Sequence, residues 1–322
     1  MTNKTIHIGP MPPPLGGISV YLYRLSKKND DSNTLFIDET SIDKYQFLKV
    51  LLSGGRNLIV YHSPSLHRRV LLYLASLFST NRYAIISHGQ GLENSYNQSN
   101  LLIKWLLKKT ILKAEYIQVV GKHLVEFLIT VGYEKNKIKV QNAFIEPPLD
   151  DEDRILKTYS DKLNNFISTK EKIIIANASA LVFYKDGSDL YGLDMCIELT
   201  SKLKKEYPNV GFIFALANEK ANVEYLNKMK QKIKELEIEQ NFYFITGQKE
   251  LWPLFKKADL MIRPTTTDGD ALSIREAMYL GCPAVASDVS DRPKGTIMFK
   301  NRDINDLYEK SIKVLKDNGI QY

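Results

Sequence analysis

Short apolar runs rich in β-branched residues alternate with longer amphipathic stretches along the whole chain. In the first half, the runs at 5–9, 34–37, 57–61, 82–87, 116–120 and 137–141 predict strands, and the stretches 18–27, 42–52, 65–78, 101–112 and 122–131 predict helices. The alternation stops at Pro147-Pro148, a rigid non-helical pair followed by an acidic cluster from Asp150 to Asp153. It then resumes, with strands predicted at 172–177, 210–215, 241–246, 259–263 and 283–286 and helices at 192–206, 222–236, 251–256, 272–280 and 304–316. Strands separated by helices of this length pair in parallel through right-handed crossovers. The pattern therefore predicts two doubly wound α/β domains, 1–146 and 147–322, with the Pro-Pro turn between them. Such sheets bind ligands beyond the carboxyl ends of their strands, so a cleft between the domains is the expected site.

Composition narrows the class. The chain has 322 residues, 44% hydrophobic and 25% charged, which excludes disordered, collagenous and disulfide-stapled proteins. No apolar run approaches the ~20 residues of a spanning helix, and the opening MTNKTIHIG lacks the apolar core of a signal peptide. The two cysteines, Cys196 and Cys282, show no metal-ligand spacing, so a reducing cytoplasm is the expected compartment.

Charge changes the picture more. Residues 1–146 carry 18 Lys and Arg against 10 Asp and Glu, a net +8, whereas the remainder is −1. The basic half is expected to face a nucleic acid, a membrane surface or a phosphorylated ligand; a solvated face with no partner is the alternative. Nucleic acid fits least, because no recognised binding module accompanies the charge. The stretches 66–74 and 101–113 combine dense apolar and basic residues, with Lys104, Lys108 and Lys109 near one helical face beside Leu101 and Trp105. An interfacial helix on anionic lipid and a core helix with snorkelling lysines both have this pattern.

The segment RPTTTDGDALSIREAM, Arg263 to Met278, carries the densest chemistry. A buried strand ends at Pro264, a polar turn holding Gly269 follows, and a helix begins near Ala271. Backbone N–H groups at that helix start, with Leu272 and Ser273 in its first turn, suit a diphosphate. With Asp268 in the turn and Glu276 in the helix, two readings fit the spacing, and in one of them the two acids hold different ends of an extended ligand. Alternatively, Asp268 caps the helix and Glu276 makes a surface ion pair.

Residues 259–288, DLMIRPTTTDGDALSIREAMYLGCPAVASD, resemble the donor-site segment of retaining GT-B glycosyltransferases of family 4. That pattern is an acid, seven residues, Glu, then Ala-Met and a Gly-x-Pro-Val-x-Ala-Ser run, matched here by Asp268, Glu276, Ala277-Met278, Gly281, Pro283, Val285, Ala286 and Ser287. The resemblance extends to Gly16-Gly17-Ile18-Ser19, where the family has a glycine-rich loop facing donor and acceptor. It also covers Ser87-His88-Gly89, where the family's His lies beside the donor sugar, and 118–142, its last N-domain helix and crossover. It implies an α/β GT-B fold of two Rossmann-like domains facing an interdomain cleft. It further implies Glu276 on the nucleotide ribose and Asp268 with His88 on the donor sugar.

The chain departs from the family in two places. The earlier acid is normally Glu, one methylene longer than Asp268. The family's donor domain opens with a strand, Gly-Arg and then Lys, the two cations holding the diphosphate; here 173–177 leads into Ala-Ser-Ala-Leu-Val-Phe-Tyr-Lys185 with no Arg in that place. Lys185 fits the family's Lys, yet Tyr191-Gly-Leu-Asp194 also fits its Lys-Gly-x-Asp, and both alignments stay open. Lys185 with Arg263, Arg292 or Lys294 is expected to supply the missing charge, Arg292 foremost. Asp268-Gly269-Asp270 has the form of the Asp-x-Asp metal site of GT-A enzymes, but its place late in a second α/β domain and in the acid-x7-Glu register argues against a metal there.

The resemblance thus implies a retaining transferase that moves a sugar from a nucleotide diphosphate sugar to an acceptor hydroxyl, with no cofactor and no metal. A glycan or polyprenyl-diphosphate-linked acceptor at the inner face of the cell membrane would suit the basic half, with surface polysaccharide assembly as the setting. A non-catalytic GT-B accessory or carbohydrate-binding subunit is the alternative. A sugar-nucleotide epimerase is a third class, against which the acid-x7-Glu segment argues.

Overall fold

The computed structural model describes residues 3–13, 15–141, 144–269 and 271–317; Asn142 and Asp270 lie outside the described residues. The chain divides into two compact units, Met1–Ile145 and Glu146–Tyr322. The first runs β1 (Thr5–Gly9), α1 (Gly17–Lys28), β2 (Thr34–Asp38), α2 (Lys44–Leu52), β3 (Leu58–His62), α3 (Leu66–Phe78), β4 (Arg82–Ser87), α4 (Gly91–Gln98), α5 (Leu101–Lys113), β5 (Ile117–Val119), α6 (Lys122–Val131) and β6 (Ile138–Val140). Its strands pair in parallel in the order β2-β1-β3-β4-β5-β6. The direction of winding reverses between β1 and β3, which opens a crevice beyond their carboxyl ends, Gly9 and His62.

The second unit runs α7 (Glu152–Leu156), α8 (Asp161–Ser168), β7 (Lys172–Ala180), α9 (Leu193–Leu203), β8 (Val210–Asn218), α10 (Val223–Glu235), β9 (Phe242–Thr246), α11 (Trp252–Phe255), β10 (Leu260–Arg263), α12 (Leu272–Tyr279), β11 (Ala284–Ser287), β12 (Ile297–Phe299) and α13 (Ile304–Asp317). All its strand pairs are parallel, in the order β12-β11-β10-β7-β8-β9, so the reversal falls between β7 and β10.

Strand alternation builds a core on both faces of each sheet. In β8, Phe212, Phe214 and Leu216 join Leu193, Ile197 and Leu226 on one face, while Ile213 and Ala215 meet Trp252, Ile274 and Ala277 on the other. Burying each large side chain there is worth roughly 1.5–3 kcal/mol. The first sheet is less even. Ile6, Ile8, Ile59, Tyr61 and Ile85 pack with Leu72 and Ile111 on one face, whereas on the opposite face Val60, Ala84 and Ile86 form a smaller apolar cluster against Leu58 and Tyr116. Histidines complete that second face.

The periodic elements lie where the sequence puts them, and the departures have simple causes. Helix α4, GLENSYNQ, buries only Leu92 and so has almost no apolar face to detect. Helices α7 and α8 are short and tie down through Ile155 and Leu163. Strand β12 is a three-residue edge. Strands β7 and β8 each extend three residues beyond the predicted ends, pairing to Ala180↔Asn218.

Candidate functional site

The crevice between β7 and β10 of the second unit is built around one carboxylate and two guanidinium groups. Arg263 is the last residue of β10, and the polar turn after it brings Asp268 back onto it. Arg263 Nε donates to Asp268 Oδ2 at 2.9 Å and Nη2 to Oδ1 at 3.3 Å. Its Nη1 donates to the Asn177 carbonyl at 3.1 Å, tying β10 to β7, and its guanidinium lies 5.2 Å from the Tyr191 ring centre. Arg292 arrives from the loop after β11, with its Nη1 2.8 Å from Asp268 Oδ2. Its Nε donates to the Ser287 carbonyl at 3.1 Å, and Nη2 to Thr265 Oγ1 at 3.2 Å and Ser287 Oγ at 3.1 Å. Thr265 Oγ1 and the Gly269 N–H also donate to Asp268, at 3.1 and 3.0 Å.

Asp268 therefore accepts five hydrogen bonds while its side chain is 10% exposed, and the side chain of Arg292 is 1% exposed. Burial by itself would raise the Asp268 carboxyl; Arg263 and Arg292 outweigh it and hold the group below the ordinary carboxylate range. One carboxylate shared by two guanidiniums leaves the cluster with a surplus of one positive charge. In the adjoining loops, Thr266 Oγ1 and Ser290 Oγ are buried with no partner. Asp268 and Arg292, expected to face sugar and diphosphate respectively, thus face each other.

Helix α12 starts beside this cluster in sequence. Ala271, buried, is its N-cap and offers no side-chain hydrogen bond; Leu272 and Ser273 are half-buried, and Glu276 is buried one turn in. Glu276 is buried and not on the surface, and Asp268 bonds to the Gly269 N–H, while the N-cap of the helix is Ala271. Lys185 is exposed at the tip of a small hairpin closed by a bridge between Phe183 and Asp189. Gly192 has φ 68° and lies so close to Pro264 that a Cβ would sit 2.5 Å from its carbonyl oxygen. Tyr191-Gly192 is thereby packed against the end of β10, and Arg263 occupies the space over the Tyr191 ring. Lys294 is exposed in the loop that carries Arg292.

In the first unit, Gly16 is the N-cap of α1, its N–H donating to Ser19 Oγ at 2.9 Å, and Gly17 has nothing within 4 Å of where a Cβ would be. His88 directly follows β4, its N–H donating to Ser63 Oγ at 3.1 Å. Its ring joins two histidines not anticipated from the sequence. His88 Nε2 is 3.2 Å from His62 Nδ1, and His62 Nε2 is 2.9 Å from His7 Nδ1. Nδ1 of His88 is buried with no partner. Burial lowers His7 and His88 to about 4 and takes His62 well below its ordinary value, so all three are neutral at pH 7. The signal for this chain was strand parity: His7, His62 and His88 continue the same face as Val60, Ala84 and Ile86 at neighbouring registers.

Helices α3 and α5 pack side by side. Leu107, Thr110 and Ile111 of α5 are buried, while Leu71, Leu74, Leu77 and Phe78 of α3 and Leu101, Leu102, Trp105 and Leu112 of α5 are exposed. Lys109 Nζ lies 5.7 Å from the Trp105 ring centre.

The model of the family described as glycosyl transferases group 1 matches residues 167–321, which lie in the second unit. A search of the curated proteins finds no match. Among solved structures, HepE from Anabaena in complex with UDP is 14% identical with a TM-score of 0.67, over 98% of this chain and 90% of its own. Sucrose-phosphate synthase from Thermosynechococcus elongatus is 12% identical with a TM-score of 0.63, over 98% and 91%. A UDP-forming α,α-trehalose-phosphate synthase from Burkholderia xenovorans is 12% identical with a TM-score of 0.60, also over 98% and 91%. The chain has the two-domain, Rossmann-like GT-B fold.

Proposed function

We propose that the chain is a retaining glycosyltransferase of the GT-B class that moves a sugar from a nucleotide diphosphate sugar to an acceptor hydroxyl. The observation that carries this is the buried Arg263–Asp268–Arg292 cluster, with its surplus positive charge, at the reversal point of the second sheet. A diphosphate complements that charge together with the N–H groups of Ala271, Leu272 and Ser273. Glu276 takes the ribose hydroxyls. Asp268 acts on the donor by fixing the two guanidiniums, and Arg263 supplies the charge that the family's Arg supplies elsewhere; Lys185, on its exposed hairpin, adds a second cation. Charge developing on the leaving diphosphate is stabilised by these groups, without a metal, and the diphosphate assists removal of the acceptor proton. His88 offers a hydrogen-bond acceptor from the first unit, whose Gly16-Gly17 turn leaves open space for a ligand to approach the backbone.

The acceptor we propose is a glycan carried on a polyprenyl diphosphate at the inner face of the cell membrane. Support comes from the exposed apolar faces of α3 and α5, flanked by Lys104, Lys108, Lys109 and Lys113, which suit an anionic bilayer. No helix among the described residues is long and apolar enough to cross a membrane. The saturated Asp268 carboxylate favours one second reading, a carbohydrate-binding accessory subunit that does not turn over.

Incubating the full chain with UDP-glucose and short glycans in excess EDTA, and reading UDP release and product anomer by NMR, separates the two. Release of UDP with an α-linked product is expected. Binding of the nucleotide without release with any glycan or lipid-linked glycan would favour the accessory reading.

A further inference from the structure

The three histidines of the first unit form one hydrogen-bonded chain, and its chemistry is directional. A neutral imidazole has one donor and one acceptor nitrogen. His62, fully buried at 0% exposure, uses both: Nε2 toward His7 and Nδ1 toward His88. Only two proton arrangements satisfy both contacts. In one, His7 donates to His62 and His62 to His88 Nε2, which forces the His88 proton onto Nδ1, a buried atom with no acceptor. In the other, His88 Nε2–H donates to His62, His62 Nε2–H donates to His7 Nδ1, and His7 carries its proton on Nε2 of a ring that is only partly buried. A buried N–H without a partner is rarer and costlier than an unpaired lone pair. The second arrangement is therefore the native one.

The rings are held for this. Gly9 leaves the room that His62 occupies, since a Cβ there would lie 2.9 Å from the His62 Cβ. Phe36 stacks on His7 at 5.0 Å, and Tyr21 packs edge-on against His88 at 4.7 Å.

Building on the reading of His88 as a ligand-facing group, we propose that His7 and His62 are positioning residues that hold His88 as its Nε2–H tautomer and so present Nδ1 as a hydrogen-bond acceptor to a hydroxyl group of the bound substrate. Tautomer choice at His88 is then set by His7 acting through His62, at a distance from the substrate-facing nitrogen.

The test is ¹⁵N NMR of the histidine-labelled full chain at pH 7, with each ring assigned by substitution. In the wild type, His88 Nδ1 is expected to give the signal of an unprotonated nitrogen. His7→Phe keeps an aromatic ring against Phe36 but removes the acceptor for His62 Nε2–H. Either arrangement then strands one N–H, and because His62 is the more deeply buried ring it moves its proton to Nδ1 and donates to His88 Nε2, so that His88 changes to the Nδ1–H form. His7→Asn, whose amide oxygen accepts from His62, restores the wild-type signal. A wild-type His88 already protonated on Nδ1 overturns the proposal, and so does a His88 signal unmoved by His7→Phe while the backbone spectrum stays intact. With UDP-glucose as probe, His7→Phe is expected to lower kcat at least tenfold while UDP affinity, set by the second unit, is unchanged; an unchanged kcat removes the substrate role. Failure of the wild type to bind UDP would instead sink the glycosyl-transfer reading, and the tautomer signals would still decide the chain.

Discussion

Replacing Asp268 with Asn keeps the shape of the side chain and removes the one negative charge between two buried guanidiniums. The amide retains a single acceptor oxygen where the carboxylate takes five hydrogen bonds, and it turns an N–H group toward an arginine. Removing one partner of a buried ion pair costs roughly 3–5 kcal/mol. Arg263 keeps the Asn177 carbonyl and the Tyr191 ring, and Arg292 keeps Thr265 and Ser287, so the lower end, about 3 kcal/mol, is expected. The chain has two tryptophans, Trp105 in the first unit and Trp252, fully buried, in the second. In a Trp105→Phe background, urea unfolding followed by fluorescence therefore reports the second unit alone. With a denaturant slope of roughly 1–3 kcal/mol per M, Asp268→Asn should lower that midpoint by at least ~1 M. Adding Arg292→Met should cost less than the two single changes combined, by about 2 kcal/mol, because the uncompensated charge is removed. A midpoint shift below ~0.3 M, or strict additivity, would refute the claim that the three side chains form one electrostatic unit.

The remaining expectations address separate links. Histidines held neutral by burial bind protons more readily once unfolded, so their contribution to stability is present above pH 6.5 and is lost as pH falls toward 4. At pH 5 the loss is about 2 kcal/mol for each of His7 and His88, and His7→Phe should flatten the pH dependence of first-unit stability; a flat wild-type profile from pH 7 to 5 would contradict this. Asp268 acts in the same sense but at lower pH, its contribution standing above pH 3.8 and lost below it, so the two tryptophan reporters should show different acid windows. Gly192→Ala should destabilise the second unit by about 3 kcal/mol through positive φ and a Cβ against the Pro264 carbonyl, and a thermal midpoint within 1 °C of wild type, allowing for roughly 2–4 °C per kcal/mol, would refute it. Trp105 fluorescence should shift to the blue on vesicles containing anionic lipid and not on neutral ones. Lys108→Ala with Lys109→Ala should weaken that binding by ~2 kcal/mol, roughly thirtyfold, whereas equal binding to neutral vesicles would exclude the charge-complementary surface.

Much of the fold was legible because buried parallel strands and amphipathic helices have strong periods: β1, β4 and α6 lie where the pattern predicts them. Elements with little apolar content, such as α4, or only a few residues, such as β12, carry no period to read. The site was legible as a segment and less so as a geometry. Arg263, Asp268 and Arg292 could each be named from the sequence, but the pairing of both arginines onto one carboxylate depends on how the turn 264–269 folds back on β10 and where the loop after β11 lies. The histidine chain needed the register of β1, β3 and β4, in which three residues far apart in sequence share one face. Tyr191 over Arg263 likewise follows from Gly192 packing on Pro264, a contact made through φ and not through composition.

The claim on which the functional account stands is that the second unit grips a nucleotide diphosphate through Glu276 and the neighbouring cationic cluster. Isothermal titration of UDP into the full chain and into Glu276→Ala addresses it directly. A hydrogen bond to a charged group is worth roughly 1.5–3 kcal/mol, so saturable one-to-one binding to the wild type should weaken at least tenfold in the variant. Absence of binding to the wild type, or equal affinity in both proteins, would contradict the account.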